Sequence, residues 1–344
     1  MSKELVLVKP DDWHLHLRDG ELMAFVLKDT AQSFSRALVM PNLNEPVSTL
    51  KKAAEYRQRI LEARPTDSEF QPMMTLYLTA ETRQADLRDA ISCEWIQAMK
   101  LYPAGTTTNS SAGIQKIEHC FPIFETMQKN GMVLSIHGEV TDADVDIFDR
   151  EKVFIERVLI GLVKQFPELK IVLEHLTTLE GVQFIETSGP FTAATITAHH
   201  LALNRNDLLV GGIKPHLYCL PIVKTEDDQQ ALIGAATSGN PKFFLGTDSA
   251  PHLQKDKETA VGKAGIYSAN AALPIYAEVF ESVGKLDRLE GFASFYGADF
   301  YGLGRNQNTL ILRNENFRVP EIFEIGKGGL VPLKCGQTLT WQLA

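Results

Sequence analysis

The chain holds only 4 cysteines among 344 residues, and no two of them form a C-x-x-C pair. Cys93, Cys120, Cys219 and Cys335 are scattered, which excludes a disulfide framework or a cysteine-zinc cluster and predicts reduced thiols. Long hydrophobic runs are missing as well: residues 158–163 form one of the longest, far short of a membrane span. The opening stretch MSKELVLVKPDDW has neither the apolar core nor the A-x-A-like site of a secretory signal, so the expected compartment is the cytoplasm. Positive charge is in deficit, with 34 Lys and Arg against 43 Asp and Glu, a net charge of -9. That argues against a nucleic-acid-binding surface but leaves room for a local basic pocket. No G-x-G-x-x-G follows the first predicted strand, which removes the main argument for a dinucleotide fold.

What is present is an ordinary apolar content of 44%, distributed in short bursts. Eight β-rich segments recur, at about 13–17, 37–40, 73–78, 98–102, 133–136, 171–173, 194–197 and 243–245. Most are continuous apolar runs, as strands buried on both faces are. Helical patterns lie between them, the clearest being Ile155, Val158, Leu159, Leu162 and Phe166. Strand and helix alternating eight times predict an α/β fold, a (β/α)8 TIM-like barrel. The whole of 1–344 is expected to be one domain, with the barrel at about 10–300. Beyond it, at about 301–344, Leu310 to Leu312 and the alternating Leu339, Trp341 and Leu343 suggest a small extension with short strands. Residues 103–113, PAGTTTNSSAG, are so rich in small polar side chains that they predict a mobile loop.

The placement of polar residues is more telling than their number. Predicted strands end in His14, His16 and Arg18, in Asn42, in His137, in His175 and in Asp248, and Lys100 lies inside another. The C-terminal ends of barrel strands are where active sites are assembled. His14 and His16, two apart, share one side of a strand and make a half-site for a borderline divalent ion such as zinc. Taken singly, each histidine reads equally as a satisfied core residue, and His199 and His200 remain open as ligands. His119 and His216 read as structural or solvent-facing. A lysine within a buried strand tends to lose its charge. Lys100 therefore predicts either an ion pair, with Asp248 for example, or a neutral amine able to capture carbon dioxide as a bridging carbamate. Asp248 reads either as a turn cap or as a carboxylate moving a proton beside a metal. Arg18 on its own reads as a surface partner of Asp19.

The motifs D-D-W-H-L-H-L-R-D-G, V-M-P-N-L, K-L-Y-P-A-G-T-T-T-N-S-S, H-G-E-V, E-H-L-T-T, G-G-I-K-P-H-L-Y-C-L-P and L-G-T-D-S-A-P-H run in order from residue 11 to about 252. In that combination the chain resembles the short, monofunctional bacterial dihydroorotases of the amidohydrolase superfamily. The resemblance implies two zinc ions, one held by His14, His16 and Asp248 and the other by His137 and His175, bridged by carboxylated Lys100 and a hydroxide. It implies Arg18, Asn42 and His252 on a substrate carboxylate, backbone groups of Leu220, Ala264 and Gly265 at the ring edge, and Thr107 and Thr108 on a closing loop. It implies reversible cyclisation of N-carbamoyl-L-aspartate to L-dihydroorotate in pyrimidine biosynthesis, with Asp248 as general acid and base, by a homodimer. The stretch T-A-V-G-K-A-G-I at 259–266 departs from the pattern by lacking cysteines. A hydantoinase would share the metal residues without needing Arg18, Asn42 and His252, and a silent homologue would be expected to have lost ligands.

Overall fold

The computed structural model describes residues 3–344. Its centre is an 8-stranded parallel sheet in strict sequence order. The first strand of the chain, β1 (Glu4–Val8), stands outside it, and the barrel runs through β2 (Asp11–Leu15), β3 (Arg36–Val39), β4 (Gln71–Tyr77), β5 (Ile96–Leu101), β6 (Val133–Ile136), β7 (Ile171–Leu173), β8 (Thr192–Ile196) and β9 (Phe243–Leu245). The sheet closes on itself through a parallel bridge between Leu15, the last residue of β2, and Ser249, just beyond β9. Helices cover the outside, and their starts are written in local chemistry: Thr49 accepts from Lys52 N, Thr178 from Gly181 N, and Thr225 forms a capping box with Asp228. Pro274 sits in the first turn of helix Ala272–Ser282, where its missing N–H costs nothing. The predicted stripe from Ile155 to Leu162 lies on helix 150–165, which widens into a π turn at Ile155–Leu159, and its last member, Phe166, caps the helix end.

Two differences from the sequence reading matter for the site. The first barrel strand stops at Leu15, so His16 and Arg18 lie beyond it, and Arg18 takes a left-handed φ of 63°. The pairing of β2 with β3 is also irregular between Asp12 and Leu15, so simple alternation does not describe His14 and His16. The second difference is β1 itself, which the sequence reading missed. It pairs antiparallel with β10 (Thr309–Arg313), which in turn pairs with Gln342–Leu343, tying the start of the chain to the C-terminal extension.

Inside the barrel the lower layer is apolar. Trp13, Leu38, Met73, Ala98, Val133, Val172, Ala193 and Phe244 contribute one side chain from each strand, and helix Tyr296–Tyr301 plugs the bottom with Ala298 and Tyr301. Trp13 stacks on Tyr301, with ring centroids 4.4 Å apart. Two residues further along several of the same strands the character inverts, to Lys100, Ser135, Glu174 and Thr195, all buried. Among the described residues no helix is long and apolar enough to cross a membrane.

Candidate active site

The polar layer is organised around Glu174, a residue the sequence reading passed over. Its carboxylate accepts from Ser135 Oγ at 2.5 Å and Thr195 Oγ1 at 2.6 Å, and lies 2.9 Å from His14 Nδ1 without a linear hydrogen bond to it. Burial alone would raise this carboxyl, but His14, Lys100 and Ser135 outweigh burial and hold it below the usual range. Asp12, also unforeseen, accepts from Thr247 N and Oγ1 and from His14 N, which fixes the start of the loop carrying Asp248. Burial pushes Asp12 up to about 7 against those bonds. The prior signal for Glu174 was a carboxylate inside an apolar run, I-V-L-E-H-L, whereas Asp12, in K-P-D-D-W, gave none.

Above Glu174 the predicted ligands converge. Ligand atoms of His14, His16 and Asp248 lie within 4.8 Å of one another. Asp248 Oδ1 is 3.0 Å from His16 Nε2 and 3.5 Å from His14 Nε2. The rings of His14 and His175 are 5.0 Å apart, and those of His175 and His137 are 4.6 Å apart. His137 Nε2 contacts Glu139 Oε2 at 2.6 Å, so a second carboxylate orients this imidazole. Burial keeps His14, His16 and His175 neutral, lowering each, with neighbouring cations adding to the effect at His16. Burial likewise pushes Asp248 upward, against the pull of His14 and His200.

Lys100 is fully buried, and its Nζ has no hydrogen-bond partner among the described residues. The ion pair with Asp248 does not form, and burial brings the amine down to about 8. His14 Nε2, 3.5 Å from Asp248 Oδ1, and His175 Nδ1 are also buried without a hydrogen-bond partner. Unpaired buried nitrogens are costly unless something satisfies them. A set of neutral imidazoles, a carboxylate and an unpaired amine around one point fits divalent metal and fits little else.

His199 and His200 do not join this set. They group with Cys219, where His200 is already satisfied by Thr197 Oγ1 at 2.9 Å and Pro221 O at 3.0 Å. His216 bonds Glu258 near the surface. Asp19 pairs with Arg59, which leaves Arg18 to turn inward.

Next to the ligands lies a cavity of about 10 Å³, room for one water. It is lined by His16, Arg18, Asn42, Thr107, Thr108, His137, His175, Leu220, Asp248, Ala264 and Gly265, together with Tyr102 and Ala250, which the sequence reading did not name. Arg18 Nη2 donates to His252 Nε2 at 2.9 Å, and its Nε to Pro251 O at 3.2 Å. Burial and the Arg18 charge drive His252 down to about 2, so it is a neutral acceptor for the guanidinium. The Thr-rich loop lies across the cavity, held by Asn42 Nδ2 to Thr108 O at 3.0 Å, Asn109 Nδ2 to Asn42 O at 3.1 Å and Thr108 Oγ1 to Ala264 O at 3.3 Å. Outside it is a larger space of about 480 Å³ that shares Arg18 and Thr108.

Residues 7–308 match the model of the amidohydrolase family. The chain is 55% identical to a dihydroorotase of Nitrosomonas eutropha over 345 aligned positions, covering 100% of both. The crystal structure of dihydroorotase from Campylobacter jejuni superposes with a TM-score of 0.92 at 36% identity, covering 100% of this chain and 98% of that one. Dihydroorotase from Saccharomyces cerevisiae in complex with 5-fluoroorotic acid gives 0.91 at 33%, covering 99% and 98%. Full-length similarity of this order, on a barrel whose strand ends carry the expected histidines, lysine and aspartate, makes the chain a member of the amidohydrolase family, among its dihydroorotases.

Proposed function

We propose that the chain catalyses the reversible cyclisation of N-carbamoyl-L-aspartate to L-dihydroorotate, a step of pyrimidine biosynthesis. The observation that carries this reading is the inward Arg18, bonded to His252 beside the ligand cluster. A substrate that is both a cyclic amide and a carboxylate matches that pair of features.

His14, His16 and Asp248 would hold one zinc ion, His137 and His175 a second, and Lys100 would lie between them. Bound there, zinc supplies the Lewis acidity that a poor electrophile such as an amide carbonyl needs, and lowers the pKa of water. Lys100, poised near neutrality by burial, would add carbon dioxide through its Nζ lone pair and release a proton, giving an anionic carbamate. Arg18 offers a planar fork to the substrate carboxylate, and Asn42 and His252 complete the grip. Leu220, Ala264 and Gly265 meet the ring edge through their backbone groups. Asp248 takes the proton from the ureido nitrogen as that nitrogen closes on the side-chain carboxyl carbon, whose oxygen leaves as water, and returns it to the ring nitrogen when water opens the ring. Thr107 and Thr108 swing away to admit substrate, because the closed cavity is far too small for a ring, and then exclude water. The chain works as a homodimer in the cytoplasm, which sedimentation and cell fractionation test.

The deciding assay compares ring opening of dihydroorotate with that of a hydantoin lacking a carboxylate, in wild type and Arg18→Met. Wild type should prefer dihydroorotate, and the variant should lose about 100-fold in kcat/KM, the scale of hydrogen bonds to a charged group. A wild type that prefers the hydantoin overturns the assignment.

A further inference from the structure

Lys257 ends the short helix Gln254–Lys257 and is buried, although none of the chemistry above uses it. Its Nζ donates to three backbone carbonyls, Tyr218 O at 2.9 Å, Lys263 O at 3.1 Å and Gly265 O at 2.5 Å. Those bonds use every donor of the ammonium. No ion pair to it exists among the described residues, and burial lowers its pKa to about 8. Taking an ammonium out of water without a counter-charge is expensive, and an apolar side chain of the same length would fill the space at lower cost. The cation is therefore placed for what it holds.

What it holds is one wall of the pocket. Tyr218 and Gly265 belong to separate segments that also bond directly, Gly265 N donating to Tyr218 O at 3.0 Å. Leu220 follows closely on the first segment, and Ala264 and Gly265 form the end of the second; all three line the cavity. Gly265 sits at φ 143°, where a Cβ would lie 2.6 Å from Ala250 O and 2.9 Å from His252 Cδ2. The wall thus runs close to the residue that bonds Arg18. Ala264 O is in turn the acceptor for Thr108 Oγ1 of the closing loop. One ammonium ties together the two backbone segments against which both substrate and loop must seat.

We propose that Lys257 is a positioning residue: its ammonium presets the backbone of residues 218–220 and 263–265 so that they meet the edge of the bound ring without rearranging. This rests on the reading that Leu220, Ala264 and Gly265 face the ring. An edge contact made equally in ground and transition states shows in KM rather than kcat.

The test uses the zinc-loaded enzyme and the variants Lys257→Met, which keeps length and removes the donors, and Lys257→Gln, which keeps two donors without charge. Kinetics with dihydroorotate, the Kd of 5-fluoroorotate and the melting temperature are measured for each. Lys257→Met should raise KM and Kd about 10-fold or more while kcat stays within about 3-fold, the size expected for lost hydrogen bonds from a charged donor. Lys257→Gln should fall between it and wild type. If Lys257→Met does not fold, the same split in Lys257→Gln decides. A variant that melts lower with KM and Kd unchanged makes Lys257 a purely structural residue and overturns the proposal. Wild type that fails to bind 5-fluoroorotate removes the pocket reading itself, whereas equal binding by wild type and variants removes only the role of Lys257.

Discussion

The lower and upper layers of the barrel interior are built from the same strands and obey opposite rules. Ala98, Val133, Val172 and Ala193 form an apolar floor sealed by Trp13 on Tyr301. Two residues later, Lys100, Ser135, Glu174 and Thr195 form a polar ring that leaves an amine and imidazole nitrogens without partners. The floor is complete as it stands and contributes to folding through area removed from water. The upper layer is complete only with its ligands, so it costs stability in their absence and was retained for chemistry.

That contrast can be broken at either layer. The largest effect should come from Lys100→Met. Turnover is expected to fall about 1000-fold or more, the scale of losing a group that matters most in the transition state, and zinc content to drop below two per chain. Metal-free protein should melt no lower than wild type, since an unpaired buried amine has gone. Two zinc ions and full activity by metal analysis and assay would remove the bridging role. Next is Trp13→Ala in the floor, which should cost about 3–5 kcal/mol in denaturant unfolding while folded molecules keep their metal. A smaller effect is expected from Glu174→Gln, which keeps the shape but weakens the support of His14. Zinc affinity by competition with a chelator should fall about 10–100-fold, and an unchanged value would make Glu174 a packing residue only. The smallest change belongs to Lys152→Ala, which removes a half-exposed pair with Glu180. Under about 1 kcal/mol is expected there, a baseline against which the interior changes are judged.

Much of the upper layer was legible because strand ends in this architecture are also site positions. His137, His175 and Asp248 each close an apolar run, and Lys100 interrupts one. The supporting carboxylates were not legible. Glu174 and Glu139 matter through contacts to Ser135, Thr195 and His137 that only neighbouring strands and local turns define. Arg18 was ambiguous for a related reason: whether it meets Asp19 or His252 depends on where β2 stops and on Arg59 claiming Asp19 first. β1 was invisible because E-L-V-L-V finds its partner some 300 residues away, at residues 309–313.

The seam that closes the barrel is thin. β2 and β9 meet through the Leu15–Ser249 bridge, with Asp248 N donating to His14 O at 2.7 Å and His16 N to Ser249 O at 2.9 Å. His14 and His16 lie on one side of that joint and Asp248 on the other. An ion shared by the three is therefore a rivet between the first and last staves, closing a loop of more than 200 residues of chain. Metal loading should slow amide hydrogen exchange along the joint more than anywhere on the opposite wall at β5 and β6.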